Sequence, residues 1–130
     1  MVAAVHRISR GSDFNRTLKT GVRVSTRDLT VHVAPVTDLV TVGGPWLGLI
    51  VSKSVGNAVV RHRVARRLRA AFAARLPEFP RTEVMVVLRA RPSAATVDST
   101  DLADQLSGAL RHRRVRALVD GSADRVRIPR

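Results

Sequence analysis

A buried strand, a turn and a cationic helix follow one another in the middle of the chain, and this segment constrains the fold most. Residues 46–53, WLGLIVSK, are apolar on both faces, as expected of a central strand. Ser54–Gly56 is predicted as a turn, and Asn57 is a good N-cap for a long helix over 58–76. Pro77 ends that helix region. Because strand and helix must each bury an apolar face, they predict a domain in which helices cover a sheet.

The predicted helix carries a concentration of positive charge. Arginines occupy five of the nine positions from 61 to 69, and no acidic residue occurs between Leu39 and Pro77. Like charges one helical turn apart destabilise a helix by about 0.2–0.5 kcal/mol per pair, so an external polyanion is expected. The apolar arc of the helix comprises Val60, Val64, Leu68, Ala71 and Phe72, the opposite side carries His62, Arg63, Arg66, Arg67 and Arg69, and Arg61 lies nearer the apolar arc.

The start of this helix adds a second attraction for anions. Free N–H groups and the positive end of the helix dipole lie behind Gly56 and Asn57, where phosphate groups bind well. A solvated cationic face is the alternative interpretation. The pattern favours a surface that binds a phosphate backbone, and it does not distinguish RNA from DNA.

The remaining elements complete one small domain over residues 1–118. Ser12 is predicted to cap a first helix, and Thr100 a last helix that ends in a second basic cluster, RHRRVR (111–116). Two strands joined around Ser25–Arg27 and a further strand over 82–90 give the order α-β-β-β-α-β-α, an α+β sandwich. In the second strand of the pair, Thr30 and His32 lie on the face opposite the apolar one. We expect residues 119–130 to form a polar, mobile tail.

Composition limits the class of function. The formal net charge is +13, which makes nucleic acid or an anionic membrane the natural partner. There is no cysteine, and the four histidines are scattered without carboxylate or metal-ligand spacing. Protein-borne catalysis is therefore not expected, and neither is a protein metal site. The chain has no apolar run of 18 residues and no signal-peptide pattern, so a cytoplasmic location is expected.

The central segment resembles the signature of the bacterial ribonuclease P protein component. That family carries a Ser-Lys-x-x-Gly-Asn-Ala-Val-x-Arg-Asn-Arg run after a buried strand. The matching residues here are Ser52, Lys53, Gly56, Asn57, Ala58, Val59, Arg61 and Arg63, with Arg66, Arg67 and Arg69 beyond. SDFNRTLKTGVRV (12–24) is similar to the segment before the family's first strand. The resemblance covers roughly residues 7–115.

The resemblance implies a ribonucleoprotein endonuclease in which the RNA subunit performs the chemistry. That enzyme removes the 5′ leader of precursor tRNA by Mg²⁺-dependent hydrolysis, the Mg²⁺ being bound mainly by the RNA subunit and the substrate. The implied partners are the catalytic RNA and precursor tRNA, without a membrane and without a required protein oligomer. The implied fold is that of the second domain of ribosomal protein S5, with a left-handed β-α-β crossover against the general rule.

The resemblance also implies two sets of binding residues and no catalytic ones. The catalytic RNA would contact Lys53, Asn57, Arg61, His62, Arg63, Arg66, Arg67 and Arg69. The single-stranded leader would lie in a cleft formed by Phe14, Arg16, Leu18, Lys19, Arg23, Thr30 and His32. Three positions depart from the family. His62 replaces the Asn of Arg-Asn-Arg, and Leu18 and His32 stand where aromatic residues are common. Because base stacking is worth about 1–3 kcal/mol, leader binding should depend less on aromatic residues here.

Three other functions are less well supported by the sequence. A non-catalytic ribosomal-type RNA-binding protein shares the composition, and the spacing of the central run argues against it. A double-stranded DNA binder would show a helix-turn-helix or zinc-finger pattern, which is absent. A membrane-surface role would need an exposed apolar face on the arginine helix.

Overall fold

A computed structural model describes residues 6–8, 11–36, 44–79 and 83–118. The predicted tail, 119–130, lies outside these residues. The described chain is an α+β sandwich, which confirms the predicted fold class. Its strands are β1 (His6–Arg7), β2 (Val22–Ser25), β3 (Leu29–Pro35), β4 (Trp46–Ile50) and β5 (Val84–Ala90). Its helices are α1 (Gly11–Thr20), α2 (Ala58–Ala74), α3 (Ser99–Leu110) and α4 (113–118).

The strands form one mixed sheet in the order β1-β4-β5-β3-β2. β2 pairs with β3 and β3 with β5 in antiparallel fashion, whereas β4 is parallel to β1 and to β5. β4, predicted as a central strand, lies inside the sheet between β1 and β5, although β1 has only two residues. The connection from β4 through α2 to β5 is the crossover for which the resemblance predicts a left-handed sense, and that sense stays a prediction.

The two faces of the sheet differ. One face is apolar and packs against α2 and α3 in the main core, whose largest fully buried members are Phe72, Leu29, Leu68 and Leu88. Alternation puts Arg23, His32, Val87 and Gly48 in one cross-strand row on the opposite face. α1 packs on this second face, against β3 and β5. α1 covers only part of it, because Arg23 and Arg89 are exposed.

Several predicted boundaries were wrong. Ser12 is not an N-cap, since α1 already begins at Gly11. The cap of α3 is Asp98, whose side chain accepts a hydrogen bond from the Asp101 N–H at 2.8 Å, and Thr100 lies inside the helix. β4 ends at Ile50 rather than at residue 53. α2 ends at Ala74 rather than at residue 76, because Leu76–Glu78 forms a separate 3-10 turn with proline at its start.

The second basic cluster also lies elsewhere than predicted. α3 stops at Leu110, residues 111–112 make a turn, and 113–118 form α4. Val115 is buried and packs α4 onto the core. Within the described ranges, no helix is long and apolar enough to cross a membrane.

Candidate nucleic-acid interface

The turn before α2 is held rigidly by packing and by backbone geometry. Its 3-10 segment, Lys53–Val55, buries Val55 in the core. Gly56 has a positive φ of 156°, and a Cβ built there would lie 2.8 Å from the Val60 Cγ1 atom. Only glycine fits this close approach without strain. The turn is therefore fixed, while its Lys53 side chain is exposed.

Asn57 is the N-cap of α2, as predicted. Its side-chain oxygen accepts a hydrogen bond from the Val60 N–H at 3.0 Å, and its carbonyl accepts one from the Arg61 N–H at 2.9 Å. One of the helix's initial N–H groups is thus satisfied by the chain itself. The residue nevertheless lies at the surface, so its amide group is accessible to a ligand.

The helical wheel placed Arg61 near the apolar arc and the other arginines of α2 on an outward face, and the structure differs for Arg63 and Arg67. Arg61 donates through Nε to the Val51 carbonyl at 3.0 Å, and Arg67 donates to the Val97 carbonyl at 3.1 Å. Both are half-buried, as is Arg63. Arg61 and Arg67 therefore fasten opposite flanks of the helix to neighbouring segments.

The exposed cationic residues of α2 form a smaller set. Arg66, Arg69 and His62 are exposed, whereas Arg63 is half-buried and its buried Nε has no hydrogen-bond partner among the described residues. The structure thus brings Lys53, Asn57, His62, Arg66 and Arg69 to the surface of the turn and helix. It leaves Arg61, Arg63 and Arg67 with one polar edge directed inward.

A groove runs between α2 and the outer edge of β4. The last described backbone bond between β1 and β4 is donated by the Ile8 N–H to the Leu47 carbonyl, and β1 itself ends at Arg7. Two adjoining cavities of about 530 and 320 Å³ lie here, and Leu49 and Arg69 line both. The smaller one is also lined by Arg61 and His62. The groove therefore has an apolar floor and cationic walls.

The residues predicted for α1 have different surroundings. The Phe14 ring lies directly on Gly48, since a Cβ at Gly48 would be 2.6 Å from the ring's Cε2 atom. Phe14 is half-buried and lines the larger cavity, so it serves packing and is also accessible. Arg16 lies 3.6 Å from the Asp13 carboxylate and contacts the Met85 sulfur at 3.7 Å. Leu18 is half-buried and Lys19 is exposed.

The sheet residues of the predicted cleft surround a buried histidine. His32 is only 6% exposed, and neither ring nitrogen has a hydrogen-bond partner in the described structure. Burial, and then the charges of Arg89 and Arg23, hold the pKa of His32 below its ordinary value of 6.5. Thr30 is buried beside it, and Arg23 is exposed. The imidazole is therefore neutral and keeps unused hydrogen-bonding capacity on the face that α1 only partly covers.

Sequence reasoning missed two residues of these surfaces. Arg89 is the one charged residue of β5, and it faces the same side as His32 and Arg23. Strict alternation from Val87, which pairs with His32, would have placed it there. Arg7 lines the larger cavity from β1, a strand too short to leave a pattern in the sequence.

Comparisons with known proteins identify the fold and the family. The family model described as Ribonuclease P matches residues 2–114. The ribonuclease P protein component of Nocardia farcinica is 45% identical over 129 residues, covering 85% of this chain and 82% of that protein. The chain belongs to the ribonuclease P protein family. The Rhodococcus opacus ribonuclease P protein component is 49% identical over 113 residues, covering 85% of this chain and 90% of that protein.

Solved ribonuclease P proteins share the architecture. The Staphylococcus aureus protein superposes with a TM-score of 0.66 at 26% identity, covering 82% of this chain and 94% of that one. The Thermotoga maritima protein gives the same TM-score at 19% identity, covering 85% of this chain and 96% of that one, which supports the fold alone.

The predicted function is confirmed at the level of the enzyme. The chain is the protein subunit of ribonuclease P, an RNA-binding component of a tRNA-processing endoribonuclease, and its partner is the ribonuclease P RNA. The alternative of a ribosomal-type RNA-binding protein gains no support from these comparisons.

Proposed function

We propose that two separate surfaces of this ribonuclease P protein bind two different RNA segments. The exposed turn and helix residues, led by Lys53, Arg66 and Arg69, bind the catalytic RNA. The face of the sheet that α1 partly covers binds the 5′ leader of precursor tRNA. Together they position the substrate so that the RNA subunit cleaves the leader and releases the mature 5′ end.

The observation that carries the proposal is the separation of fastened from exposed cations on α2. Arg61 and Arg67 hold the helix in place through backbone carbonyls, and Arg66 and Arg69 are exposed on the same helix. Each planar guanidinium group presents its N–H donors in a fixed fork that suits phosphate oxygens. The neighbouring groove has room for a nucleotide base against Leu49. A structured RNA fits these features.

The leader surface combines one accessible aromatic ring with polar groups. Phe14 offers a face for stacking, and Arg23, Arg89 and Lys19 supply charge for the backbone. His32 lies beneath this surface, and a base edge reaches its unpaired ring nitrogens only when the side chains that cover them move aside. Leader binding here therefore depends on one aromatic residue and on hydrogen bonding more than on a stack of rings. Both surfaces lie in one chain, so one copy of the protein suffices.

The chemistry belongs to the RNA and its metal ions in this proposal. Among the described residues, no three His, Asp or Glu side chains lie close enough together to hold a metal ion. These residues do not fit a protein site for Mg²⁺, and no step is assigned to a protein-bound metal. The proposed Mg²⁺ ligands are RNA and substrate oxygens. We propose that this cleavage takes place in the cytoplasm.

Comparison of two substrates tests the leader surface. The reconstituted holoenzyme is titrated with precursor tRNA and with mature tRNA, which lacks the leader. Arg23→Gln should weaken binding of the precursor and leave binding of mature tRNA unchanged. Arg27→Gln is the matched control, since Arg27 lies on the same hairpin but pairs with Asp28 and Asp101. An equal loss of affinity for both substrates, or no loss of affinity with Arg23→Gln, would show that the leader does not bind this face.

A further inference from the structure

A second cationic surface lies outside both proposed binding surfaces. The C-terminal basic cluster, defined here as Arg111, His112, Arg113, Arg114 and Arg116, follows α3 and continues into α4. All five side chains are exposed. The described ion pairs of the protein lie elsewhere and include none of them. The cluster is therefore a block of positive charge available to an external anion.

The fold holds this cluster in a defined position. Val115 is 2% exposed and ties α4 to the core. The Arg114 backbone N–H donates to the His112 Nδ1 atom at 3.1 Å, which shapes the turn between the helices. The Arg114 guanidinium donates to the Arg23 carbonyl at 3.3 Å, which joins the cluster to β2. The cations are thus presented by a packed element rather than by a free chain end.

Charge along α3 is strongly polarised. Its first turns carry Asp101 and Asp104, which pair with Arg27 and Arg75. The cluster begins about 15 Å farther along, at ten residues and 1.5 Å of rise per residue from Asp101. The acidic side chains of α3 are therefore held at the other end of the helix, away from the cluster. A polyanion is the partner of matching charge.

The position of the cluster indicates which RNA it meets. It contacts β2, whose Arg23 side chain lies in the row with His32 on the proposed leader surface. α2 instead flanks β4, which is separated from β2 by three strand spacings, or about 14 Å. A single strand that leaves the leader surface past Arg23 meets the cluster next.

We propose that the C-terminal basic cluster binds the phosphate backbone of the distal part of the 5′ leader, beyond the nucleotides held at Phe14 and Arg23. This inference rests on the proposed function of the leader surface. It extends the path of the leader from the second face of the sheet, across the β2 edge, to α4. Because phosphate contacts carry no sequence information, the cluster favours long leaders of any sequence.

Leader length provides the test. Precursor tRNAs with unstructured leaders of about 4 and about 16 nucleotides span the site sizes of small single-strand-binding folds. The holoenzyme is reconstituted with wild-type protein and with the Arg111→Gln, Arg113→Gln, Arg116→Gln triple variant. Arg114 is kept because it bonds to the Arg23 carbonyl. The dissociation constant for each substrate is measured across a series of salt concentrations.

The wild-type holoenzyme should bind the long-leader substrate more tightly than the short-leader one, and the triple variant should lose that difference. Three lost contacts to a single strand should reduce the salt slope for the long-leader substrate by about 2. Binding of the short-leader substrate should not change. An Arg66→Gln, Arg69→Gln variant is the control: it should weaken binding to ribonuclease P RNA and keep the dependence on leader length.

Three other results would contradict the inference, and each has a different meaning. If the triple variant keeps the full long-leader advantage, or if wild-type protein shows none, the cluster does not bind the distal leader. If the triple variant binds ribonuclease P RNA itself more weakly with the length dependence intact, the cluster contacts the catalytic RNA instead. If wild-type holoenzyme binds precursor and mature tRNA equally well, the proposed leader surface itself is refuted.

Discussion

Substitution of the exposed arginines of α2 should change the affinity for RNA without changing the stability of the fold. Arg66 and Arg69 are exposed, and neither takes part in a described hydrogen bond or ion pair. Replacing both with glutamine keeps helix propensity nearly constant and should change the free energy of unfolding by no more than about 0.5 kcal/mol. The same double variant should bind ribonuclease P RNA much more weakly, because two cationic groups facing the RNA are lost.

The size of that loss follows from counterion release. Each phosphate contact to a nucleic-acid duplex contributes about 0.9 to the slope of log affinity against log salt concentration. Two contacts therefore contribute about 1.8. At about 0.1 M salt this corresponds to a loss of roughly 60-fold in affinity. The loss should shrink as the salt concentration is raised, because each released counterion then enters a more concentrated solution and gains less free energy.

The assay is direct titration of ribonuclease P RNA with each protein at several salt concentrations, with thermal unfolding of the free proteins alongside. An Arg113→Gln, Arg116→Gln double variant removes the same charge near the opposite edge of the sheet and serves as the matched control. If both double variants lose affinity equally, the RNA responds to net charge alone. If neither loses affinity, α2 is a solvated face and the account of its arginines is wrong.

Three further substitutions test other parts of the structure. Gly48→Ala should lower the free energy of unfolding by about 1–3 kcal/mol and weaken binding of leader-bearing substrate, since a Cβ would overlap the Phe14 ring; chemical denaturation and substrate titration measure the two effects. Arg61→Ala should cost about 1 kcal/mol of stability in the same denaturation assay, because the half-buried guanidinium loses its bond to the Val51 carbonyl. The free energy of unfolding should fall as pH drops through 6.5, because the pKa of His32 is lower in the folded chain and the unfolded chain then binds more protons. His32→Leu should remove that part of the pH dependence, and an unchanged profile would show that another group causes it.

The order of the main elements was predictable because each carries its own local signal. The alternating strand at 29–35 and the apolar strand at 84–90 have clear patterns, and Asn57 caps α2 as expected. The predicted N-cap of α3 was wrong. Asp98 lies two residues before Thr100 and can also cap a helix, and only the packing of the helix selects between the two. β1 was missed because its two residues are defined by pairing with β4 rather than by their own pattern.

The sequence predicted which residues belong to the candidate site. It did not predict what surrounds each of them. A helical wheel separates Val64 from Arg66, yet it contains no information about the carbonyls of Val51 and Val97 that bind Arg61 and Arg67. The face of His32 followed from alternation. Its burial depends on how far α1 covers the sheet, which is decided by packing between elements distant in sequence.

Reconstitution tests the central claim most directly. Purified protein is mixed with a bacterial ribonuclease P RNA and 5′-labelled precursor tRNA at a Mg²⁺ concentration at which the RNA alone cleaves slowly. We expect accurate cleavage at the mature 5′ end that requires both the protein and the RNA. Tight RNA binding without any gain in cleavage, or cleavage by the protein alone, would contradict this claim.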